Sequence, residues 1–422
     1  MNGHNDAPGR IIRLDFGRQS NKDGAGMRED PPRSSFSAGT IFQMIRERPA
    51  SRADIARATG LARSTVSQRI GALIELGIVV EETDVRSTGG RPATALRLNP
   101  AGGVVLAADL GANHDRLAVS DLAGRVLVEH TAERSIAQGP EVILGWVRDN
   151  FLAQLAQLGV GVDRVIGIAI GVPGPVEFAA GRAVKPPIMP GWNGVSIADH
   201  FAAAFPGVDV LVDNDVNIMA VGEHRVAWPA VSDLLFVKVA TGIGSGIIAG
   251  GRLQRGAQNA AGDIGHIRAN EYLDEICACG DAGCIEAVAS GSGLARRLRA
   301  LGCAAQGTLD VVGLVHNGNP DAVRLVREAG RLLGEVLAHA VTLLNPSVVV
   351  IGGELAHAEQ QLFAGIREAI YRRSSCLASE RLEIVRTRLG DRAGVIGASA
   401  LVLDQCLAPD IVDRLLARRA AA

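Results

Sequence analysis

Lysine is nearly missing from this chain. Only Lys22, Lys185 and Lys238 occur among 422 residues, and arginine supplies the rest of the 43 basic side chains. Against 45 acidic residues the formal net charge is −2, so the chain as a whole is not a basic nucleic-acid binder. Any such surface must be local. Aromatic residues are scarce at 3%, so the cores must be built from Ala, Val, Leu and Ile. No apolar run reaches the roughly 18 residues that suggest a membrane span. The N-terminus lacks the apolar stretch of a secretory signal. These absences predict a cytoplasmic protein with no membrane insertion. Cysteine is limited to six residues, three of them crowded between Cys277 and Cys284. In the cytoplasm such crowding points to a metal more than to disulfides. The isolated Cys303, Cys376 and Cys406 are expected to serve packing.

What is present fits a soluble globular protein of two or three domains, with 47% hydrophobic and 21% charged residues. Residues 1–36 are rich in Gly, Asp, Asn, Arg and Pro and lack periodicity, which predicts a disordered tail. Residues 37–99 form the next unit. Ile41, Met44 and Ile45 share one helical face that Pro49 ends. Ser51, three residues before Asp54, reads as the N-cap of a second helix. A third helix is predicted from about Ala62 to Leu76, with Val66, Ile70, Leu73 and Ile74 inward and Gly77 as its stop. Two short strands follow, Ile78–Glu82 and Ala95–Leu98, joined by a loop containing Gly89, Gly90 and Arg91.

Three short helices and a two-stranded wing make a winged helix-turn-helix, whose second motif helix enters the DNA major groove. Here Arg63, Ser64, Thr65, Ser67, Gln68 and Arg69 are the outward residues of that helix. Arg can pair with guanine, Gln with adenine, and Ser or Thr with phosphate or base. Arg91 at the wing tip suits a minor groove. Nine Arg stand against six acids between Ser37 and Asn99, so the segment is locally basic. A helical dimerisation or protein-binding domain is the alternative.

From residue 100 to 422, strands and helices alternate in an α/β pattern with two lobes, their boundary near 225–232. His266 and the segment Cys277-Ala278-Cys279-Gly280…Cys284 supply three thiolates and an imidazole. That is a donor set zinc takes in closed, structural, tetrahedral sites. Buried unligated cysteines are the other reading.

Several short motifs occur in series. They are Asp109-Leu110-Gly111, Gly171-Val172-Pro173-Gly174, Asn214-Asp215, Thr241-Gly242-Ile243-Gly244-Ser245-Gly246, Gly262-Asp263-Ile264-Gly265-His266, Cys277 through Glu286, and Gly352-Gly353. In this order they resemble the ROK family (repressors, open reading frames and sugar kinases). With its leading winged helix the whole chain resembles the repressor branch of that family. The resemblance covers about nine-tenths of the chain. It implies a winged helix-turn-helix followed by a two-lobed α/β domain of the actin-like ATPase (ROK sugar-kinase-like) fold. It also implies sugar contacts from Gly174, Asn214, Asp215, Asp263, His266 and Glu286, with structural zinc on His266, Cys277, Cys279 and Cys284. In the family's kinases the residue matching Asp215 is the catalytic base, so Asp215 is the catalytic candidate if kinase activity is retained. Two departures stand out. Family kinases usually carry Gly-Thr-Lys where this chain has Ala112, Asn113 and His114, and usually Glu where Asp263 stands.

The chemistry is coherent without the family. Carboxylates accept strongly from sugar hydroxyls, and a metal on one nitrogen of His266 would orient the other. For each carboxylate taken alone, a helix cap or surface charge is the alternative. The expected function is a sugar-responsive DNA-binding transcriptional regulator, a repressor of carbohydrate uptake or catabolism genes. It would bind double-stranded operator DNA as a homodimer or homotetramer. An ATP-dependent sugar kinase carrying a winged helix is the second reading. Control by a transport-protein partner is the third.

Overall fold

The computed structural model describes residues 36–83 and 94–421. The expected tail, apart from Phe36, and the wing tip with Arg91 lie outside these residues.

The first unit holds α1 (Ala38–Glu47), α2 (Arg52–Thr59), α3 (Arg63–Glu75), β1 (Val79–Thr83) and β2 (Thr94–Leu98). Its boundaries follow local chemistry. The Ser37 hydroxyl accepts from Thr40 N–H, and Ser51 with Asp54 forms a reciprocal capping box. Left-handed Gly60 then ends α2. Ile41, Phe42, Ile45, Ile55, Val66, Ile70 and Leu73 form its core. Met44 and Ile74, expected inward, are only half-buried.

The second unit is built on two five-stranded sheets. The first contains β3 (Val104–Leu110), β4 (Asp115–Asp121), β5 (Val126–Ala132), β6 (Val165–Val172) and, past the small hairpin β7 (Val176–Glu177) and β8 (Arg182–Ala183), β9 (Val210–Asn214). Helix α4 (Pro140–Leu158) crosses over between β5 and β6, and the short α5 (Asp199–Ala202) precedes β9. Helix α6 (Asp215–Ala227) then leads away. The second sheet contains β10 (Leu234–Val239), β11 (Ile243–Ala249) and β12 (Arg252–Gln254). After α7 (Ile285–Ala289), α8 (Gly291–Ala300), α9 (Thr308–His316) and the long α10 (Pro320–Leu344) comes β13 (Val348–Gly352). Helices α11 (Glu359–Arg373) and α12 (Cys376–Ser379) precede β14 (Glu383–Arg386), and α13 (Ala393–Cys406) and α14 (Pro409–Ala421) end the chain.

The sheets repeat one topology. Their orders are β5-β4-β3-β6-β9 and β12-β11-β10-β13-β14. In each, the first three strands are antiparallel and the last two run parallel to the first of the set. The helices that follow them, α6 and α13, are therefore equivalent in the two halves. They exchange: α6 packs mainly on β10 and β11, while α13 packs on β3 and β6. The two helices also cross each other at backbone contact. A Cβ on Gly397 would lie 1.7 Å from the Ile218 carbonyl, and one on Gly222 would lie 2.1 Å from the Ala393 carbonyl. Only glycine permits this crossing.

Helix α14 returns to the first unit. Val412 is buried in the cluster that holds Ile41 and Phe42, and Asp413 Oδ1 accepts from Gly39 N–H at 2.8 Å. No single helix among the described residues is long and apolar enough to cross a membrane. Of the three isolated cysteines, Cys406 is buried and Cys303 half-buried. Cys376 is exposed at the start of α12, so the expectation that it serves packing is wrong.

Candidate functional site

On α3, Arg63, Ser64, Ser67 and Gln68 are exposed, while Thr65 and Arg69 are half-buried. The exposed four are spaced i, i+1, i+4 and i+5, so they share one face. The helix is held from both sides. Arg52 reaches the Ser67 carbonyl at 3.3 Å and the Glu81 carboxylate on β1 at 2.6 Å. Arg419 on α14 donates to the Glu75 carbonyl at 2.7 Å. A cation at a helix C-terminus meets its unpaired carbonyls and complements the dipole.

A cleft lies between the two sheets. All six residues expected to contact sugar line it: Gly174, Asn214, Asp215, Asp263, His266 and Glu286. Sheet order explains the convergence. The parallel strands β6 and β9 end here, and β9 delivers Asn214 and Asp215 to the first turn of α6. Asn214 Oδ1 caps that turn, accepting from Val216 N–H at 3.0 Å, while Asn214 Nδ2 donates to the Gly174 carbonyl at 3.1 Å. The carboxylate of Asp215 therefore sits at a helix N-terminus, where negative charge is favoured. Beneath it, Asp213 is fixed by Asn217 and Arg255 at 2.8 and 2.7 Å. On the opposite wall, Glu286 Oε2 accepts from Ile243 N–H at 2.9 Å. Glu286 Oε1 is left facing Cys277 Sγ at 3.9 Å.

Beside the cleft, the donor atoms of His266, Cys277, Cys279 and Cys284 all lie within 4.8 Å of one another. Cys279 Sγ and Cys284 Sγ are 3.8 Å apart, and Cys277 Sγ is 3.7 Å from His266 Nδ1. A tetrahedral zinc with ordinary bond lengths would set these edges at about 3.8 and 3.6 Å. The four residues thus fit a metal ion in composition and spacing. The other ring nitrogen of His266 points to Asp263 Oδ1 at 3.7 Å, too far for a hydrogen bond. One imidazole joins the His/Cys cluster to the cleft wall.

The part of the cleft nearest Asp109 is filled with charge. Lys238 Nζ meets Asp215 Oδ2 at 2.5 Å, with only 14% and 5% of the two side chains exposed. Burial alone would lower the Lys238 pKa, but the Asp215 and Asp109 carboxylates hold it above the usual lysine range. Burial pushes Asp109 up to about 7 against the pull of Lys238, and pushes Asp115 up to about 7 as well. His114 lies over Gly111 and 3.9 Å from Glu354. Burial, and then Lys238, push its imidazole toward the neutral form.

Comparison with known proteins places this architecture. The ROK family profile matches residues 105–405. The chain belongs to the ROK family. A profile of the IclR helix-turn-helix domain matches residues 38–83, the α1–β1 segment. The ROK chain is 30% identical over 373 residues to the xylose repressor of Caldicellulosiruptor bescii, covering 85% of this chain and 92% of that protein. It is also similar to the crystal structure of a ROK family transcriptional regulator described as a homologue of the E. coli MLC protein. That match has a TM-score of 0.74 at 26% identity and covers 90% of this chain and 98% of that one. The ROK hexokinase of Thermus thermophilus is 31% identical with a TM-score of 0.59, covering 71% of this chain and 97% of that one.

Sequence reasoning missed Lys238 as a cleft residue, although its rarity set it apart. It also missed Asn217, which lines the same cleft.

Proposed function

We propose that this ROK protein is a sugar-responsive DNA-binding transcriptional repressor of carbohydrate uptake or catabolism genes, acting in the cytoplasm. It is a regulator and not a kinase. The xylose repressor is matched over 85% of this chain and the ROK transcriptional regulator over 90%, against 71% for the hexokinase, which supports the regulator reading. Residues Arg63, Ser64, Ser67 and Gln68 would read operator DNA, with Thr65, Arg69 and Arg91 supporting. Gly174, Asn214, Asp215, Asp263, His266 and Glu286 would bind the sugar. Zinc on His266, Cys277, Cys279 and Cys284 would hold the wall that carries Asp263 and Glu286.

One observation carries the link between the two sites. Helix α6 starts in the cleft with Asp215, and Arg225 near its other end pairs with Asp404 of α13. Asp404 also accepts from Arg46 of α1, at 2.8 Å. Closure of the lobes on a sugar would turn α6 against α13 at their glycine crossing. The carboxylate shared by Arg225 and Arg46 would then pass that movement to the winged helix. The sugar must bind the two states unequally for this to work. In a homodimer or homotetramer, such a shift would spoil the match to two half-sites.

The test is a titration of the full chain on a duplex from its own upstream region and on a scrambled duplex, at moderate salt, with and without a panel of pentoses, hexoses and N-acetylhexosamines. Preference for the native duplex, changed by one sugar, supports the reading. Equal binding to both duplexes disposes of it.

A further inference from the structure

Lys238 enters the cleft by strand parity. On β10, Leu234 and Phe236 face α6 and share a core with Val216, Met219 and Ala220. Leu235, Val237 and Val239 face the other way into the large second-lobe core. Two residues after Phe236, Lys238 continues the α6-facing row just where that helix begins. Its ammonium therefore meets the first residue of α6, Asp215. Both oxygens of Asp215 are then engaged, Oδ2 with Lys238 at 2.5 Å and Oδ1 with Val216 N–H at 2.8 Å.

The surrounding charges are one-sided. Asp215, Asp109 and Glu354 all act on Lys238. His114, which also lines the cleft, is held toward neutrality by burial and by Lys238 itself. The far wall adds Asp263 and Glu286. A phosphate dianion reaching Lys238 would have to share its ammonium with Asp215 beside the Asp109 and Glu354 carboxylates, or displace Asp215 and leave that carboxylate buried without its cation, and either is costly.

We infer that Lys238 sets ligand specificity: spent on Asp215, it offers no cation to a phosphate ester, so the cleft selects an unphosphorylated sugar. The inference rests on the proposed sugar-binding role of the cleft.

The test uses inorganic phosphate as probe, titrated calorimetrically into the full chain and its variants, with circular dichroism confirming the fold. Asp215→Asn keeps the shape and releases Lys238. Phosphate should bind this variant at least tenfold more tightly than the native protein, and the gain should vanish in Asp215→Asn with Lys238→Met. Native protein that binds phosphate as tightly as the Asp215→Asn variant overturns the inference. If Asp215→Asn does not fold, Lys238→Met alone decides: unchanged phosphate affinity supports the inference, and a tenfold loss overturns it. In parallel, glucose and N-acetylglucosamine are compared with their 6-phosphates. Tighter binding of either ester than of its parent sugar also overturns it. If no sugar or ester binds, the proposed sugar reading fails, while the phosphate series still decides the role of Lys238.

Discussion

Arg46 on the winged helix and Asp404 on α13 form an ion pair at 2.8 Å across 358 positions of sequence. The same carboxylate takes Arg225 from the helix that begins in the cleft. Arg46 is the more buried partner, with 17% of its side chain exposed against 43% for Asp404. Partly exposed pairs contribute little to stability, so the pair's value lies in what it connects.

Asp404→Asn should uncouple the two sites. Sugar affinity of the isolated chain and DNA affinity without sugar should change less than threefold. The sugar-induced change in DNA affinity should collapse toward one. Couplings of this kind are worth about 1–3 kcal/mol, or roughly five- to 150-fold. Fluorescence anisotropy with a labelled duplex measures all three quantities. A full sugar response in the variant would exclude this route.

Removing a metal ligand should act on the cleft and spare DNA binding. Cys279→Ser is expected to reduce zinc measured by elemental analysis and to abolish the sugar response. DNA affinity without sugar should remain, because α3 is held by Arg52 and Arg419, remote in sequence from the cluster. Unchanged metal content would refute the assignment of the cluster.

On α3, Gln68→Ala should weaken binding to the cognate duplex by about 1–3 kcal/mol and relax the preference at one base pair. Arg63→Ala should reduce binding to all duplexes and lower the salt slope by about one if it contacts phosphate. Competition binding over a set of single-base operator variants at two salt concentrations separates these outcomes.

The pH dependence of stability has a definite sign. Asp115 is fully buried, neither carboxyl oxygen has a hydrogen-bond partner, and burial raises its pKa from 3.8 to about 7. Between pH 4 and 7 the unfolded chain has released this proton while the native protein keeps it. Stability from this group is therefore present at low pH and falls as pH rises through about 7. Asp115→Asn should stabilise the protein at pH 8 by roughly 2 kcal/mol, and by much less at pH 4. Thermal melts at both pH values check the sign. Equal melting temperatures at pH 8 would mean that Asp115 is relieved by another route.

Legibility in the sequence followed the range of the interactions. The winged helix was readable because its signals are local: Ser51 with Asp54, the left-handed Gly60 and Gly77, and strong apolar spacing in α1. The strands at the centres of both sheets were readable as apolar runs, from Val104 and from Leu234. Helix α13 was not. Small apolar residues are buried around much of its circumference, so no polar face marks the period. The short β12 and β14 lie at sheet edges and lack a long apolar run.

The cleft shows the same divide. Its glycine turns and carboxylates were found as an ordered series of motifs, and folding brings Gly174, Asn214, Asp215, Asp263, His266 and Glu286 to one wall system. The partnership of Lys238 with Asp215 was hidden because it depends on which face of β10 meets α6. The link from Arg46 to Arg225 through Asp404 was hidden for a stronger reason. It joins three helices from distant parts of the chain.

The central claim is that sugar and DNA are linked through one protein. Linkage is reciprocal, so operator DNA must change sugar affinity by the same factor that sugar changes DNA affinity. The decisive measurement is calorimetric titration of the effective sugar into the free protein and into its saturated complex with operator duplex. The account predicts at least a fivefold difference between the two dissociation constants, absent in Asp404→Asn. Equal constants for the free and DNA-bound native protein would contradict it.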